Sequence, residues 1–173
     1  MADISITAAS PEDARAIAEV QIATWHSTYR GIVPASFLAS MVLDTNEQRW
    51  SRILDLDQER PEQRITLAAR SATEGIVGFL SAGPERDGAE GYPGEVYALY
   101  VAQQLQGRGI GSKLFHEASR QLKNRNLAPF LIWVLSDNPF RRFYEHVGGT
   151  ELHRKTIRIG DSDLEETAYG FSD

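Results

Sequence analysis

The sequence predicts an α/β fold: a mixed central sheet of about seven strands, mainly antiparallel, flanked by helices on both faces. Three observations carry this expectation. Short segments alternate apolar and polar residues at the period of a strand. Longer segments between them place apolar residues at helical spacing. From Glu95 to Val147 the two patterns follow one another as strand, helix, strand, helix, the order of a crossover unit. A chain of 173 residues suits one domain, 1–173, that buries roughly 70 % of its unfolded surface. Its 42 % apolar and 24 % charged content is that of a globular protein, and it carries no repeat, low-complexity tract or linker.

Ile4, Ile6 and Ala8 alternate with Ser5 and Thr7, which predicts an opening strand. Ser10, Pro11, Glu12 and Asp13 then supply a cap, a first-turn proline and acids for a helix through about Ala23. Its inward stripe is Ala14, Ile17, Ala18 and Ile22. A short helix is expected near Pro34 to Met41, followed by one capped by Thr45 with Gln48 at capping-box spacing and with Trp50, Ile53 and Leu54 inward. Arg64–Arg70 and Ile76–Ala82 form a hairpin around Ser71 to Gly75. Gly83 to Gly94, which also contains Pro84, Gly88, Gly91 and Pro93, reads as a loop. A strand from Glu95 to Val101, a helix from Gly109 to Asn124, a strand from Phe130 to Leu135 and a helix from Pro139 to Val147 follow. Strands near Glu151–Ile159 and Leu164–Phe171 close an antiparallel end.

Composition excludes several functions. A formal charge of −6 gives a phosphate backbone no overall attraction, so nucleic acid is not an expected partner. The chain has no cysteine, which removes disulfides, thiolate metal sites and an acyl-cysteine route. His26, His116, His146 and His153 form no ligand spacing, and no metal is expected. The first residues lack a basic flank and an apolar run, and nothing later approaches the ~20 apolar residues of a membrane span, so a cytoplasmic protein without membrane contact is expected.

Gln106-Gly107-Arg108-Gly109-Ile110-Gly111 lies between a strand and a helix whose apolar face is Ile110, Leu114, Ala118 and Leu122. Glycines there let the backbone approach a ligand, and the free N–H groups at a helix start favour a phosphate. The other reading is a tight strand-to-helix turn. A nucleotide P-loop needs Gly-Lys followed by Ser or Thr, whereas Gly111 is followed by Ser112, Lys113 and Leu114. A dinucleotide fingerprint needs glycine where Ser112 stands, although Asp137 lies where a ribose-binding acid is expected.

The segment resembles the pyrophosphate loop of the GNAT superfamily of N-acetyltransferases, Gln/Arg-x-x-Gly-x-Gly/Ala, through Gln106, Gly109 and Gly111. The resemblance extends back through Glu95-Val-Tyr-Ala-Leu-Tyr-Val101 and forward through Asn138-Pro-Phe-Arg-Arg-Phe-Tyr144 to Gly148-Gly149. It implies a parallel strand pair splayed at an acetyl-CoA site and transfer of acetyl from acetyl-CoA, as co-substrate, to a primary amine in a ternary complex. Leu99, Tyr100 and Val101 would offer backbone groups to the pantetheine arm. Gln106, Gly107, Arg108, Gly109, Ile110, Gly111 and Ser112 would hold the pyrophosphate. Asn138 would contact the pantetheine or reach toward the thioester, although it stands one residue nearer the Phe-Tyr pair than in the commonest family form, and a helix N-cap before Pro139 is its other reading.

A lysine-like amine is neutral only about once in a thousand at pH 7, so transfer needs a base. Glu95, eleven positions before Gln106, matches a glutamate base of some members. Alternation would put it on one face with Tyr97, Leu99 and Val101; a solvated strand-end glutamate is the alternative. Tyr144 matches the family's acid, a phenol of pKa ~10 suited to protonating a thiolate near ~8.5; a packed aromatic beside Phe143 is the other reading. Trp25, Tyr29 and Arg30 either line the acceptor pocket or form a hydrophobic plug with a surface arginine. The acidic turn with Asp161, Asp163, Glu165 and Glu166 is either a lure for a cationic acceptor or a solvated hairpin tip. Enzymes of this kind commonly form homodimers. A coenzyme A-binding sensor without turnover, and more remotely a nicotinamide oxidoreductase, are the competing functions.

Overall fold

A computed structural model describes residues 3–89 and 91–172. The chain runs β1 (Ile4–Ala8), a 3-10 turn (Pro11–Asp13), α1 (Ala14–Thr28), α2 (Ala35–Ala39), α3 (Leu43–Glu59), β2 (Ile65–Ser71), β3 (Gly75–Pro84) and β4 (Gly94–Val101). It continues through a second 3-10 turn (Gln103–Leu105) to α4 (Ile110–Asn124), β5 (Phe130–Leu135), α5 (Arg142–His146), β6 (Thr150–Ile159) and β7 (Ser162–Phe171). These strands form a 7-stranded sheet ordered β1-β2-β3-β4-β5-β7-β6. Only β4 and β5 pair in parallel, joined by the α4 crossover. The expected mixed sheet is thus observed.

Both faces of the sheet are covered. On one, Ile110, Leu114, Phe115, Ala118 and Leu122 of α4 pack on Leu80, Val96, Val101 and Ile132. On the other, Ile17 and Ala18 of α1 and Trp50 and Leu54 of α3 pack on Phe79, with Ala98 and Tyr100 alongside. Beyond α1, Tyr29, Val33 and Leu38 cover Leu135 of β5 and Ile159 of β6. Every such cluster removes apolar area from water at about 25 cal/mol per Å².

Several boundaries differ from the sequence expectation. α1 runs to Thr28, so Trp25 lies inside it, because nothing between Ala23 and Gly31 breaks a helix. Its first turn is 3-10, with the Ser10 N–H donating to Asp13 at 2.8 Å. α3 starts at Leu43 after Val42, so Thr45 stands inside the first turn and does not cap it. Gly83 and Pro84 extend β3, which shortens the connection to 85–93. α5 is only Arg142–His146, because Asn138 turns the chain first: its side chain accepts the Phe140 N–H at 2.8 Å and its carbonyl the Arg141 N–H at 3.1 Å.

Candidate active site

The site begins where two strands part. β4 and β5 pair only from Gly94↔Phe130 to Val96↔Ile132, yet β4 continues to Val101 and β5 to Leu135. Residues 97–101 therefore present backbone groups to a gap, and a cavity of about 990 Å³ passes through it. β4 also carries a bulge. Ser81 pairs with Ala98 but Ala82 with Val96, which leaves Tyr97 without a partner opposite. The expectation that Glu95, Tyr97, Leu99 and Val101 share one face fails for this reason. Val96, Leu99 and Val101 pack with α4, Ala98 and Tyr100 pack toward α1 and α3, and Glu95 points away from Val96 toward Arg86.

At the α4 end, Gly107 (φ 73) and Gly109 (φ 78) adopt left-handed backbone, and a side chain at either would project into open space. Gly109 caps α4, whose first N–H groups lack helical partners, and Gly109 to Ser112 border the cavity. The buried Leu105 and Ile110 anchor the two ends of the loop, and the Gln106 side chain ties it to β4 by donating to the Val101 carbonyl at 2.9 Å. Arg108 alone of this run is exposed and outside the cavity lining. Leu99, Tyr100, Val101, Gln106, Gly107, Gly109, Ile110, Gly111, Ser112, Asn138, Glu95 and Tyr144 all border the same cavity. Such a cradle can take a phosphate group while an extended arm lies along the gap.

Three phenols meet beside the gap. Burial, first of all, pushes the hydroxyls of Tyr29, Tyr100 and Tyr144 above their ordinary value, and the proximity of Tyr100 raises Tyr29 and Tyr144 further. Tyr144 is 7 % exposed and stacks on Tyr169 with ring centroids 5.8 Å apart. Its hydroxyl has no hydrogen-bond partner among the described residues and borders the cavity. The Asn138 amide donates to the Tyr29 hydroxyl at 3.1 Å, and the Trp25 indole to that of Tyr100 at 2.9 Å.

The opposite end is charged. Glu95 is 2 % exposed and accepts from the Arg86 Nε at 3.0 Å, its Nη2 at 2.5 Å and its backbone N–H at 3.2 Å. Arg86 also lies over the Tyr97 ring, 4.5 Å from its centroid. Lys155 donates to Asp87 at 2.6 Å, lies 3.3 Å from Glu166 and sits 4.0 Å from the centroid of Trp133. Burial pushes the Glu166 carboxyl up, against the pull of Lys155. Sequence reasoning missed Arg86, Asp87, Lys155 and Trp133, because they are far apart in the chain and meet only where Arg86 and Asp87 reach β4 and β6. Trp25 and Tyr29 pack in the apolar cluster with Val33 and Leu38 and at the same time border the cavity. Arg30 does not: it is exposed and lines a separate shallow cleft with Val33 and Leu164, because the turn after α1 carries it outward. Two buried polar atoms of cavity-lining residues, Thr24 Oγ1 and Trp133 Nε1, have no hydrogen-bond partner. Among the described residues no group of three or more His, Asp or Glu is arranged to hold a metal ion, and no helix is long and apolar enough to cross a membrane.

Comparison with known proteins agrees with this architecture. Residues 23–149 match the model of the acetyltransferase (GNAT) family. The chain is 29 % identical over 171 residues to the uncharacterized N-acetyltransferase YuaI of Bacillus subtilis (strain 168), covering 98 % of this chain and 94 % of that protein. Among solved structures, PaiA N-acetyltransferase from Thermoplasma acidophilum in complex with coenzyme A has a TM-score of 0.75 at 22 % identity, covering 95 % of this chain and 98 % of that one. YncA from Salmonella typhimurium, a putative acetyltransferase with its cofactor acetyl-CoA, has a TM-score of 0.72 at 19 % identity, covering 98 % and 93 %. With the family model spanning most of the chain, from α1 through the splayed strands and α4 to the end of α5, the protein belongs to the GNAT family of acetyltransferases.

Proposed function

We propose that this acetyltransferase moves the acetyl group of acetyl-CoA to a primary amine by direct attack within a ternary complex. The observation that carries the reading is the gap between β4 and β5, which has the glycine cradle at one end and the Tyr144 hydroxyl beside it. Acetyl-CoA supplies a thioester, whose carbonyl carbon accepts the amine. The cradle of Gly107 to Ser112 holds the pyrophosphate through backbone N–H groups, and the unpaired edge of Leu99 to Val101 orients the pantetheine arm. A backbone N–H of that edge stabilises the oxyanion, a contribution of about 3 kcal/mol in comparable sites. Asn138 keeps Tyr29 in place through its amide and shapes the turn that brings Tyr144 to the gap. Tyr144 gives its proton to the departing thiolate. Burial holds the phenol protonated, and so able to donate, across the neutral range, while the position beside the leaving sulfur rather than acid strength carries the transfer.

Glu95 takes the amine proton on this reading. About four acceptor sites belong to a carboxylate, and three are engaged by Arg86, so the transfer runs through the remaining one or through a water. A second reading gives the base role to Glu166, favoured by its raised carboxyl and its place on the cavity wall. We place the enzyme in the cytoplasm, in keeping with its cysteine-free chain. A panel of amines incubated with acetyl-CoA and followed by release of the coenzyme A thiol tests the proposal. Thiol release that depends on an amine and on Tyr144 supports it. Acetyl-CoA binding without release for any amine would instead make the protein a coenzyme A-binding sensor.

A further inference from the structure

One wall of the cavity has a cation and a hydroxyl with nothing to bind. Cations on the acceptor side are matched elsewhere: Arg86 pairs with Glu95, and Lys155 with Asp87 and Glu166. Arg49, on α3, makes no ion pair or hydrogen bond among the described residues, yet it borders the cavity and lies close enough to act on the Tyr100 hydroxyl. Across from it on α1, Thr24 is 5 % exposed, and its Oγ1 is buried without a partner. The two helices are fastened at this level: Gln21, one turn before Thr24, accepts the indole N–H of Trp50, the residue after Arg49, at 2.8 Å. Trp25, next to Thr24, donates to the Tyr100 hydroxyl at 2.9 Å. Arg49, Thr24 and Tyr100 thus all line the part of the cavity where α3, α1 and β4 come together. That part lies on the face of the sheet opposite α4 and its phosphate cradle, so the guanidinium is not placed to serve the pyrophosphate.

A buried hydroxyl without a partner carries a desolvation cost that a ligand can relieve, and an unpaired guanidinium is the group best shaped for a carboxylate. Resting on the amine-acetylation reading above, we propose that the acceptor is an amine that also bears a carboxylate, of the amino-acid class, and that Arg49 and Thr24 hold this carboxylate. Its ammonium end then faces the Glu95 and Glu166 side of the chamber, so both charges of a zwitterion meet their opposites. The aromatic wall of Trp25, Tyr29 and Phe37 lies between α1 and β6 and is left to contact the side chain.

The test pairs each of the twenty L-amino acids with its amide, which keeps the amine and removes the carboxylate. Acetyl-CoA turnover is measured for the wild type, Arg49→Gln, Arg49→Lys and Thr24→Val, and calorimetry follows N-acetyl-amino acids binding to the coenzyme A complex. Acids are expected to outrun their amides in kcat/KM. Arg49→Gln is expected to raise KM for the acids about 10- to 100-fold, the range of one charged hydrogen-bonded contact, so that the acid-over-amide ratio falls toward one. Arg49→Lys is expected to restore part of that ratio, Thr24→Val to reduce it, and acetyl-CoA affinity to be the same in all four proteins. Amides turned over as well as acids, or an Arg49→Gln loss equal for both, overturn the carboxylate anchor and leave acetyl transfer standing. N-acetyl-amino acids bound in an Arg49-dependent way without turnover of any amine support the anchor and overturn transfer. Neither binding nor turnover overturns both.

Discussion

Tyr144 is the side chain whose chemistry and surroundings agree most closely. It packs against Phe143 and Tyr169 and borders the cavity, so Tyr144→Phe removes one oxygen and little packing. This variant is expected to lower kcat about 100-fold or more, the usual range for a general acid, while the acetyl-CoA dissociation constant measured by calorimetry stays within twofold. Because burial raises the phenol above its ordinary ~10, Tyr144 stays protonated as pH rises and contributes no fall in kcat/KM between pH 8 and 10. The acidic limb reports the base. Glu95→Gln is expected to lower kcat/KM at least about tenfold; a profile that matches wild type transfers the role to Glu166, whose raised carboxyl places the limb above the ordinary carboxylate range. Tyr144 and Gly109 were legible in the sequence because each sits in a short contiguous motif. Arg86, Lys155 and Arg49 were not, since their partners are distant in the chain. One signal was available: Gln21, Thr24 and Thr28 continue the inward stripe begun by Ile17 on α1, and polar residues on a buried stripe mark a wall with something to bind.

Among the elements, β4 decides most, and its start is confined. Gly94 opens the strand opposite Phe130, and a Cβ there would collide with the Leu127 carbonyl oxygen. Gly94→Ala is expected to cost about 1–3 kcal/mol, as overpacking against backbone does, read from the denaturation midpoint, and to weaken acetyl-CoA binding by shifting the strand that forms the gap. At the other side of the sheet, Asp13 fastens α1 to β2 by accepting from Arg70 at 2.6 Å. Burial alone would raise its carboxyl, but the bonds from Arg70 and from the Ser10 N–H outweigh it and hold the group below the usual carboxylate range. The stabilisation is therefore present above the unfolded value of ~3.9 and is lost as pH falls through the lower folded value. Urea melts are expected to show Asp13→Asn about 1 kcal/mol less stable at pH 7, with the difference from wild type closing toward pH 2. Strand identities were legible from alternation; the bulge at Tyr97 was not, because it depends on how β3 pairs. It redirects Glu95 away from Leu99 and Val101, which no single-strand pattern encodes.

The whole molecule is a sheet opened between β4 and β5, with the cradle behind α4 on one face and the chamber bounded by α1, α3 and β6 on the other. In the proposed function, donor and acceptor approach from opposite faces and meet at the opening. Direct attack within a ternary complex, as proposed above, predicts that initial-rate plots against both substrates intersect; parallel lines would indicate a covalent intermediate instead. The order of the elements and the glycine segment made this architecture legible before the strands were paired, whereas the cavity wall away from the cradle draws on α1, α2, α3, β4, β5, β6 and β7 and has no contiguous signature. The most direct measurement is a calorimetric titration with acetyl-CoA, with NAD as the control ligand and Gly109→Trp, its folding checked by circular dichroism, as the filled-cradle variant. Acetyl-CoA is expected to bind one site per chain, NAD not at all, and the variant to lose the acetyl-CoA signal. Binding of NAD, or acetyl-CoA binding that survives in Gly109→Trp, would contradict the account.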